Sequence, residues 1–242
     1  MDEVNCERAG GQATMLVVAL GLPTLVTWLY FIVLADFAPA VQQGAYSIGK
    51  GVQFLLPLVW LWLAKERVRW AWPGWRGVPV GLAFGLTLLV AMWLLYSLAL
   101  RPLGWFDAAG EEVRAKLRGM GLASLGAYVA LSVFYSLVHS LLEEYYWRWF
   151  VFGKLCTRMS LAAGIVVSSL GFAAHHVLLL ATFFGWDSPV TYLFSVCVAI
   201  GGAFWAWLYR SSGSLLGPWL SHALVDAALF LVGYDLAKEL LV

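Results

Sequence analysis

The sequence has little charge. Only 12% of its 242 residues are Asp, Glu, Lys or Arg, about half the share in an ordinary soluble domain, whereas 62% are apolar. The formal net charge is +1, so the chain has no excess of positive charge with which to bind nucleic acid. This composition argues against a water-soluble globule and excludes nucleic acid as the main partner.

Cysteine is also scarce. The three cysteines, Cys6, Cys156 and Cys197, are widely spaced and form no CxxC pair. This spacing excludes a zinc knuckle, a dithiol redox couple and a disulfide framework, so the chemistry of the protein must come from other side chains.

Long apolar runs dominate the chain. A bilayer core of ~30 Å needs ~20 apolar residues per helix, and short polar or Gly/Pro segments separate runs of that length. The sequence therefore predicts an all-α polytopic membrane protein with about seven, alternatively eight, transmembrane helices in one bundle, forming a single transmembrane domain over residues 1–242. The predicted spans are 14–34, 45–64, 78–100, 122–152, 161–182, 189–209 and 214–233.

Two features lie outside this simple pattern. At ~1.5 Å per residue the run 122–152 is about 46 Å long, so it must tilt, protrude or break. Residues 107–118 are highly charged and predict an interfacial helix with Asp107 as its N-cap.

The distribution of basic residues predicts the orientation in the membrane. Loops that would share a side with the amino terminus carry slightly more Lys and Arg than the opposite loops. They include Lys65, Arg67, Arg69 and Arg76. The positive-inside rule then predicts an integral, multi-pass membrane protein with a cytoplasmic amino terminus.

The ionisable residues within the apolar runs are concentrated after residue 130. Each charge at membrane depth costs about 2.5–3.5 kcal/mol on insertion scales, so we expect these groups to meet at one interior, water-accessible site. They are His139, Glu143, Glu144, Arg148, His175, His176, His222 and Asp226.

The first group is the pair Glu143 and Glu144, followed by Arg148. Helical spacing places Arg148 four residues after Glu144, in the favourable order for an ion pair, and this predicts a structural role for both. Glu143 points about 100° away and is the candidate general base. His139, four residues before Glu143, is interpreted as a supporting or packing residue.

Two later runs carry the remaining groups. Phe172 and His176 are four residues apart and share a helix face, which makes His176 the candidate and His175 the spare. His222 and Asp226 have the same spacing. That pair could orient an imidazole, bind a metal or donate hydrogen bonds to an oxyanion.

These three groups resemble the motifs of a known family. The Glu-Glu-x-x-x-Arg, Phe-x-x-x-His and His-x-x-x-Asp patterns at Glu143–Arg148, Phe172–His176 and His222–Asp226 are similar to those of CPBP intramembrane proteases. This family includes the type II CAAX prenyl endopeptidases and bacterial Abi proteins. The resemblance implies a catalytic core over residues 122–233 and hydrolysis of a peptide bond near the membrane-anchored terminus of a protein substrate.

The resemblance also implies roles for the residues. Glu143 and His176 would activate a water, while His222 and Asp226 would lie on the oxyanion side. Asp226 would either orient His222 or carry a proton. Glu144, Arg148, Phe172 and His139 would be structural.

We favour a glutamate-type protease without a cofactor. Two histidines and a carboxylate are also an acceptable catalytic zinc set, so zinc held by His176, His222 and a carboxylate is the alternative.

Other functions remain open. A non-catalytic membrane partner, such as an immunity or scaffold protein, would use the same bundle without chemistry, and an ion- or proton-coupled transporter would use the same ionisable residues. Aspartyl and serine intramembrane proteases are disfavoured, because the chain lacks a Gly-x-Gly-Asp motif and a Gly-x-Ser-x-Gly elbow.

Overall fold

The computed structural model describes the backbone of residues 3–66 and 74–242, and side chains within those ranges from residue 11 onward except residue 12. The described residues are helical or lie in turns and contain no strand, so the predicted all-α class is confirmed. Arg67 and Arg69, on which the orientation partly depends, lie outside the described residues, and the cytoplasmic amino terminus stays a prediction.

Ten α-helices follow one another along the described chain, and π-helical segments extend or join several of them. The α-helices are α1 (Glu3–Trp28), α2 (Pro39–Leu63), α3 (Val78–Leu95), α4 (Asp107–Gly119), α5 (Leu125–Val133), α6 (Ser140–Glu144), α7 (Gly153–Leu155), α8 (Leu161–Phe184), α9 (Pro189–Ser212) and α10 (Leu216–Leu241). The π-helical segments are Leu29–Val33, Tyr96–Leu100, Phe134–His139 and Tyr145–Phe152.

Six helical stretches of the described chain are long and apolar enough to cross a membrane. Helix α2 is not among them, because its 25 residues include polar side chains at Gln42, Lys50 and Gln53. The predicted count of seven is therefore approximate. The six stretches are Ala13–Val33, Val78–Leu100, Leu125–Leu155, Leu161–Phe184, Pro189–Ser212 and Leu216–Leu241.

Large apolar side chains cover much of the outer surface of these helices. Val17, Leu98 and Ile200 are 71%, 74% and 62% exposed. Contiguous apolar surface on this scale would be unfavourable in water and is what lipid chains contact. The protein is an integral membrane protein.

The longest stretch, Leu125–Leu155, is helical throughout its 31 residues. Within it the backbone changes from α to π at Phe134–His139 and again at Tyr145–Phe152. Segments of π-helix are rare and are frequent at functional sites, and here they flank the five-residue helix α6 that carries Glu143 and Glu144.

The charged helix between the second and third of these stretches is α4, as predicted, but the predicted cap is wrong. Phe106 occupies the N-cap position without a side-chain hydrogen bond, and Asp107 is the first helical residue. The carboxylate still lies in the first turn, where it interacts favourably with the positive end of the helix dipole.

The chain divides into two compact units. The first unit comprises residues 1–70, 146–179 and 194–206, and the second comprises 71–145, 180–193 and 207–242. Each unit contains a helix pair whose backbones approach closely.

In the second unit, α3 packs along α10. A Cβ added to Gly81 would lie 2.3 Å from the carbonyl oxygen of Gly217, so only glycine permits this approach. The hydroxyl of Tyr128, on α5, donates to the carbonyl of Phe230 at 2.7 Å and further ties α5 to α10. This packing fixes α10 beside the helix stretch that carries the two glutamates.

In the first unit, α1 packs against α2. The side-chain amide of Gln42 donates to the carbonyl of Tyr30 at 2.9 Å, which lies in the π-helical extension of α1. The hydroxyl of Tyr146 donates to the carbonyl of Ala19 at 2.6 Å. Carbonyl groups of α1 and of its π-helical extension thus accept hydrogen bonds from side chains of two other segments of the unit.

Candidate functional site

Two adjacent glutamates lie in the interior of the second unit. Glu143 and Glu144 are both on α6, and both are almost fully buried. Carboxyl groups are seldom buried without partners, because removing a charge from water costs several kcal/mol. Their partners include side chains of α10.

His222 of α10 is hydrogen-bonded to Glu144. Its Nδ1 atom lies 2.8 Å from Oε1 of Glu144, in a contact between residues 78 positions apart. An ionised carboxylate can only accept a hydrogen bond, so Nδ1–H of His222 is the donor. This bond fixes the orientation of the imidazole ring. The other ring nitrogen, Nε2, is left to face the remaining carboxyl groups.

Two carboxyl groups lie on the Nε2 side of His222. Oε2 of Glu143 is 3.8 Å from Nε2, and Oδ1 of Asp226 is 3.6 Å from it. Both distances are longer than a hydrogen bond, so these groups border the same small region without bonding directly to the ring. Asp226 lies four residues after His222 on α10, at the spacing that the sequence predicted to share a face.

The fifth member of this group is His139. Its Nε2 atom lies 3.7 Å from Oε1 of Glu143, one helical turn earlier in the chain, and its ring packs 4.8 Å from the ring of Tyr135. We call these five residues the carboxylate–histidine cluster. Its members are His139, Glu143, Glu144, His222 and Asp226.

Arg148 lies in the first unit, where its contacts include aromatic faces. Its guanidinium carbon is 4.6 Å from the ring centre of Phe172 and 5.0 Å from that of Trp205. A guanidinium group over an aromatic face is stabilised by the quadrupole of the ring. A long contact of 3.5 Å to the carbonyl of Gly202 adds a hydrogen bond.

His176 lies in the first unit next to Phe172. Its Nδ1 atom is 2.9 Å from the carbonyl oxygen of Phe172. Because a carbonyl only accepts, Nδ1 carries the proton, and in the neutral ring Nε2 then holds the lone pair. That nitrogen is the one able to accept a proton or bind a metal.

His175, the spare histidine, is buried in an aromatic setting. Its ring is stacked on Trp147, with 6.0 Å between ring centres and 6° between planes, and its centre is 4.2 Å from that of His176. This environment suits a packing residue.

The predicted site residues thus fall into two groups. The second unit brings together the carboxylate–histidine cluster, and the first unit brings together Arg148, Phe172 and His176. The predicted partnership of His176 with Glu143 joins residues of different units and stays a prediction, as does the Glu144–Arg148 ion pair. The sequence analysis did not identify His222 as a partner of Glu144.

No group of three or more His, Cys, Asp or Glu side chains within the described residues is arranged to hold a metal ion. The zinc alternative at His176, His222 and a carboxylate joins residues of different units and stays a prediction. It is a question for chemical analysis.

Comparison with known families identifies part of the chain. Residues 125–228, less than half of the 242-residue chain, match the family described as type II CAAX prenyl endopeptidase Rce1-like. The matched segment is Rce1-like. Neither a curated protein nor a solved structure gives a significant match.

The Rce1-like segment contains all three motifs. It begins at the first residue of α5 and ends two residues after Asp226, and so includes every member of the carboxylate–histidine cluster together with Arg148, Phe172 and His176. The resemblance drawn from the motifs is confirmed. The match supports a membrane enzyme of the CAAX protease type, and the family implies a membrane-anchored protein substrate.

Proposed function

We propose that this protein is an intramembrane endopeptidase that cleaves a membrane-anchored protein near its anchored terminus, with Glu143 as the base that activates water. The observation that carries the proposal is the convergence of Glu143, Glu144 and Asp226 on one buried imidazole, that of His222. Hydrolysis needs a base for the water and donors for the developing oxyanion, and this cluster has groups suited to both.

The base is assigned to Glu143. Glu144 is engaged by Nδ1–H of His222 at 2.8 Å, whereas Glu143 lies 3.7 Å from Nε2 of His139 and 3.8 Å from Nε2 of His222. The carboxylate of Glu143 can take a proton from a water as the water oxygen attacks the peptide carbonyl carbon. His176, with its proton on Nδ1, would accept a hydrogen bond from the same water through Nε2.

The oxyanion side is assigned to His222 and Asp226. When His222 is the imidazolium, Nε2–H can donate to the carbonyl oxygen as it becomes negative, and Glu144 stabilises that form from the other side of the ring. Asp226 lies beside Nε2 and, when it carries a proton, adds a second donor. Glu143 then gives its proton to the leaving nitrogen as the C–N bond breaks, which leaves a carboxylate and an amine.

The substrate must present an extended or frayed segment. A peptide bond inside a helix is shielded by its own hydrogen bonds and side chains, so a spanning helix is not attacked directly. A terminus anchored by a lipid or by a short apolar segment provides an accessible peptide bond at the membrane surface. The family description favours a prenylated C-terminal segment as the first substrate to test.

The decisive experiment is the Glu143→Gln substitution, which removes the base and changes the side-chain volume little. The purified variant should fold as the wild type does and should cleave a quenched fluorescent prenylated C-terminal peptide on the order of 10²- to 10⁴-fold more slowly. The exposed Glu112→Gln substitution on α4 is the matched control and should leave cleavage unchanged. Full activity of Glu143→Gln would contradict the assignment of Glu143 as the base.

The same preparation tests the metal question. We expect cleavage to persist after treatment with a chelator and expect the purified protein to contain no stoichiometric zinc. Stoichiometric zinc together with loss of cleavage on chelation would replace the glutamate mechanism by a metalloprotease mechanism. If the peptide is not cleaved, mapping of new termini in membranes with and without Glu143→Gln identifies the substrates.

A further inference from the structure

The second unit contains a polar cavity of about 620 Å³. Its walls are α4, the last two turns of α10 and Arg101, which follows the π-helical extension of α3. Volumes of about 300–1,000 Å³ are typical of sites for small ligands. All of the lining residues lie outside the matched segment 125–228, so the family match does not account for this cavity.

The cavity lies where two spanning stretches end. The α3 stretch and α10 run side by side in the same direction, because Gly81 lies against Gly217 and the hydroxyl of Tyr96 donates to Asp235 at 2.8 Å. The end of both apolar stretches places the cavity near the level of the lipid headgroups. His222 lies 13 residues before Asp235 on α10, about 20 Å along the helix axis. The cavity is therefore separate from the carboxylate–histidine cluster.

Helix α4 attaches to α10 beside this cavity. Its Leu117 packs with Ala237 and Leu241 in a buried apolar cluster, and its Arg114 donates to the carbonyl of Leu236 at 2.5 Å. The charged residues of α4 remain available to line the cavity. A helix with one apolar side and one charged side at the end of spanning helices is suited to the membrane interface.

The lining contains four basic and four acidic side chains. The basic residues are Arg101, Arg114, Arg118 and Lys238. The acidic residues are Asp107, Glu111, Asp235 and Glu239. The cavity thus has no net formal charge but contains strong charges of both signs.

Five of these groups are paired with one another. Asp235 lies 2.5 Å from the guanidinium of Arg101 and 3.0 Å from the ammonium of Lys238. Glu111 lies 2.7 Å from the guanidinium of Arg114. Three cations therefore share two carboxylates, and one positive charge is left in excess beside Asp235.

The other three charged groups are available to a ligand. Within the part of the chain that the structure describes, the side chains of Arg118, Asp107 and Glu239 have no ion pair or hydrogen bond, and all three are exposed. An anion alone would be repelled by the two free carboxylates, and a cation alone by the bases. A ligand that carries a negative and a positive group a few atoms apart is complementary to both.

We propose that this cavity binds the phosphoethanolamine headgroup of a membrane phospholipid. The phosphate accepts hydrogen bonds from Arg118 and from the cations beside Asp235, and the ammonium donates to Glu239 and Asp107. Basic pockets beside membrane helices are established sites for lipid phosphates. The inference does not depend on the proposed protease function, because no residue of the cavity takes part in the proposed chemistry.

The carboxylates favour ethanolamine over choline. A primary ammonium has three N–H donors for them, whereas a quaternary ammonium has none and is recognised by cages of aromatic rings. Phe106 is the one aromatic side chain among the described residues of the lining, and its ring packs edge-on against Tyr96 and Phe184. The cavity therefore has no aromatic cage.

The test is a titration of the purified protein in detergent with short-chain phosphatidylethanolamine, followed by the thermal midpoint. A ligand that binds the folded state raises the midpoint, and the concentration for half of the effect measures its affinity. We expect this concentration to be at least about fivefold lower for phosphatidylethanolamine than for phosphatidylcholine or phosphatidylglycerol of the same chain length. Equal or stronger effects of either of the other two lipids would overturn the proposal.

Free phosphoethanolamine and inorganic phosphate distinguish the two sources of this chemistry. Both lack acyl chains, so we expect each to require a much higher concentration than the lipid. Free phosphoethanolamine as effective as the lipid would overturn the assignment to a membrane lipid. An equal effect of inorganic phosphate would overturn the role of the ammonium as well.

Two variants with opposite charge changes identify the contacts. Arg118→Gln should raise the half-effect concentration about tenfold for phosphatidylethanolamine and also for phosphatidylglycerol, because both carry the phosphate. Glu239→Gln should raise it severalfold for phosphatidylethanolamine but not for phosphatidylglycerol, because only the former has the ammonium. Wild-type affinity for phosphatidylethanolamine in both variants would overturn the proposal.

Arg76→Gln is the matched control. Arg76 is an exposed arginine of the same unit that precedes α3 and does not line the cavity, so its loss should leave every titration unchanged. None of the three substitutions should change peptide cleavage without added lipid. The binding result therefore stands or falls separately from the Glu143→Gln result.

Discussion

The two units bury their motif residues in different ways. In the second unit the carboxylate–histidine cluster places three carboxyl groups within 4 Å of one imidazole, that of His222. In the first unit the guanidinium of Arg148 lies over the rings of Phe172 and Trp205. The second unit thus combines several ionisable groups, whereas the first unit places the permanently charged guanidinium of Arg148 against aromatic ring faces and a backbone carbonyl.

This difference suggests a catalytic role for the carboxylate–histidine cluster and a structural role for the residues around Arg148. Carboxyl and imidazole groups can gain and lose protons and are suited to catalysis, whereas guanidinium is always protonated and the aromatic rings hold it in a rigid environment. Substitutions in the cluster should therefore change the rate more than the stability. Substitutions around Arg148 should change the stability more than the rate.

The largest expected effect is that of Glu144→Gln on the cluster. The amide cannot supply the charge that stabilises the His222 imidazolium, so we expect the rate of peptide cleavage to fall on the order of 10²- to 10⁴-fold. The melting temperature should change little because the side chain keeps its shape. Steady-state kinetics and thermal unfolding of the purified variant in detergent measure both quantities.

Comparison with His139→Gln sharpens this result. His139 lies 3.7 Å from Glu143, whereas Glu144 is hydrogen-bonded to His222 itself, so loss of His139 should slow cleavage much less than loss of Glu144. Equal losses in both variants would mean that the cluster acts as one structural unit. The specific role of the Glu144–His222 hydrogen bond would then be wrong.

The next effect is the loss of stability in Arg148→Lys. Lysine keeps the charge but loses the planar group that stacks on Phe172 and Trp205, and its ammonium is more strongly hydrated. We expect the free energy of unfolding to fall by about 2–4 kcal/mol. Denaturant titration in detergent micelles measures it.

Two further variants show whether the buried charge itself is stabilising. Arg148→Met removes the charge and keeps the volume, and we expect a smaller loss of about 1–2 kcal/mol because no ammonium is left in the apolar site. The exposed Arg210→Lys substitution should change the stability by less than about 0.5 kcal/mol. Higher stability of Arg148→Met than of the wild type would mean that the aromatic faces do not offset the cost of burial.

Much of the fold could be predicted from the sequence because membrane spans are read from local composition. The apolar runs predicted the six described helices that are long and apolar enough to cross a membrane, and the charged segment after the second of them predicted α4. Helix α2 was harder, because polar side chains at Gln42, Lys50 and Gln53 reduce the apolar character of the whole run. The cap at Asp107 was wrong because a cap depends on the backbone conformation of one residue, which composition does not determine.

The site could be predicted only where spacing along one helix determines contact. The i, i+4 relations of His222 with Asp226 and of Phe172 with His176 follow from helix geometry. The Glu144–His222 hydrogen bond joins residues 78 positions apart, and no local pattern specifies which of two neighbouring glutamates a distant histidine contacts.

The smallest effect compares two neighbouring glycines of α9 and tests how tightly the Arg148 site is packed. A Cβ on Gly201 would meet Trp205 at 3.7 Å, an ordinary contact, whereas a Cβ on Gly202 would meet Phe172 at 3.2 Å and Arg148 at 3.5 Å. Replacing either glycine by alanine favours the helix by up to about 1 kcal/mol. Gly201→Ala should therefore be stabilising, and Gly202→Ala should be about 1 kcal/mol less stable than Gly201→Ala because Phe172 must shift beneath the guanidinium. Equal unfolding free energies for the two variants would mean that the aromatic site is loosely packed, and the contrast with the hydrogen-bonded cluster of the second unit would lose its basis.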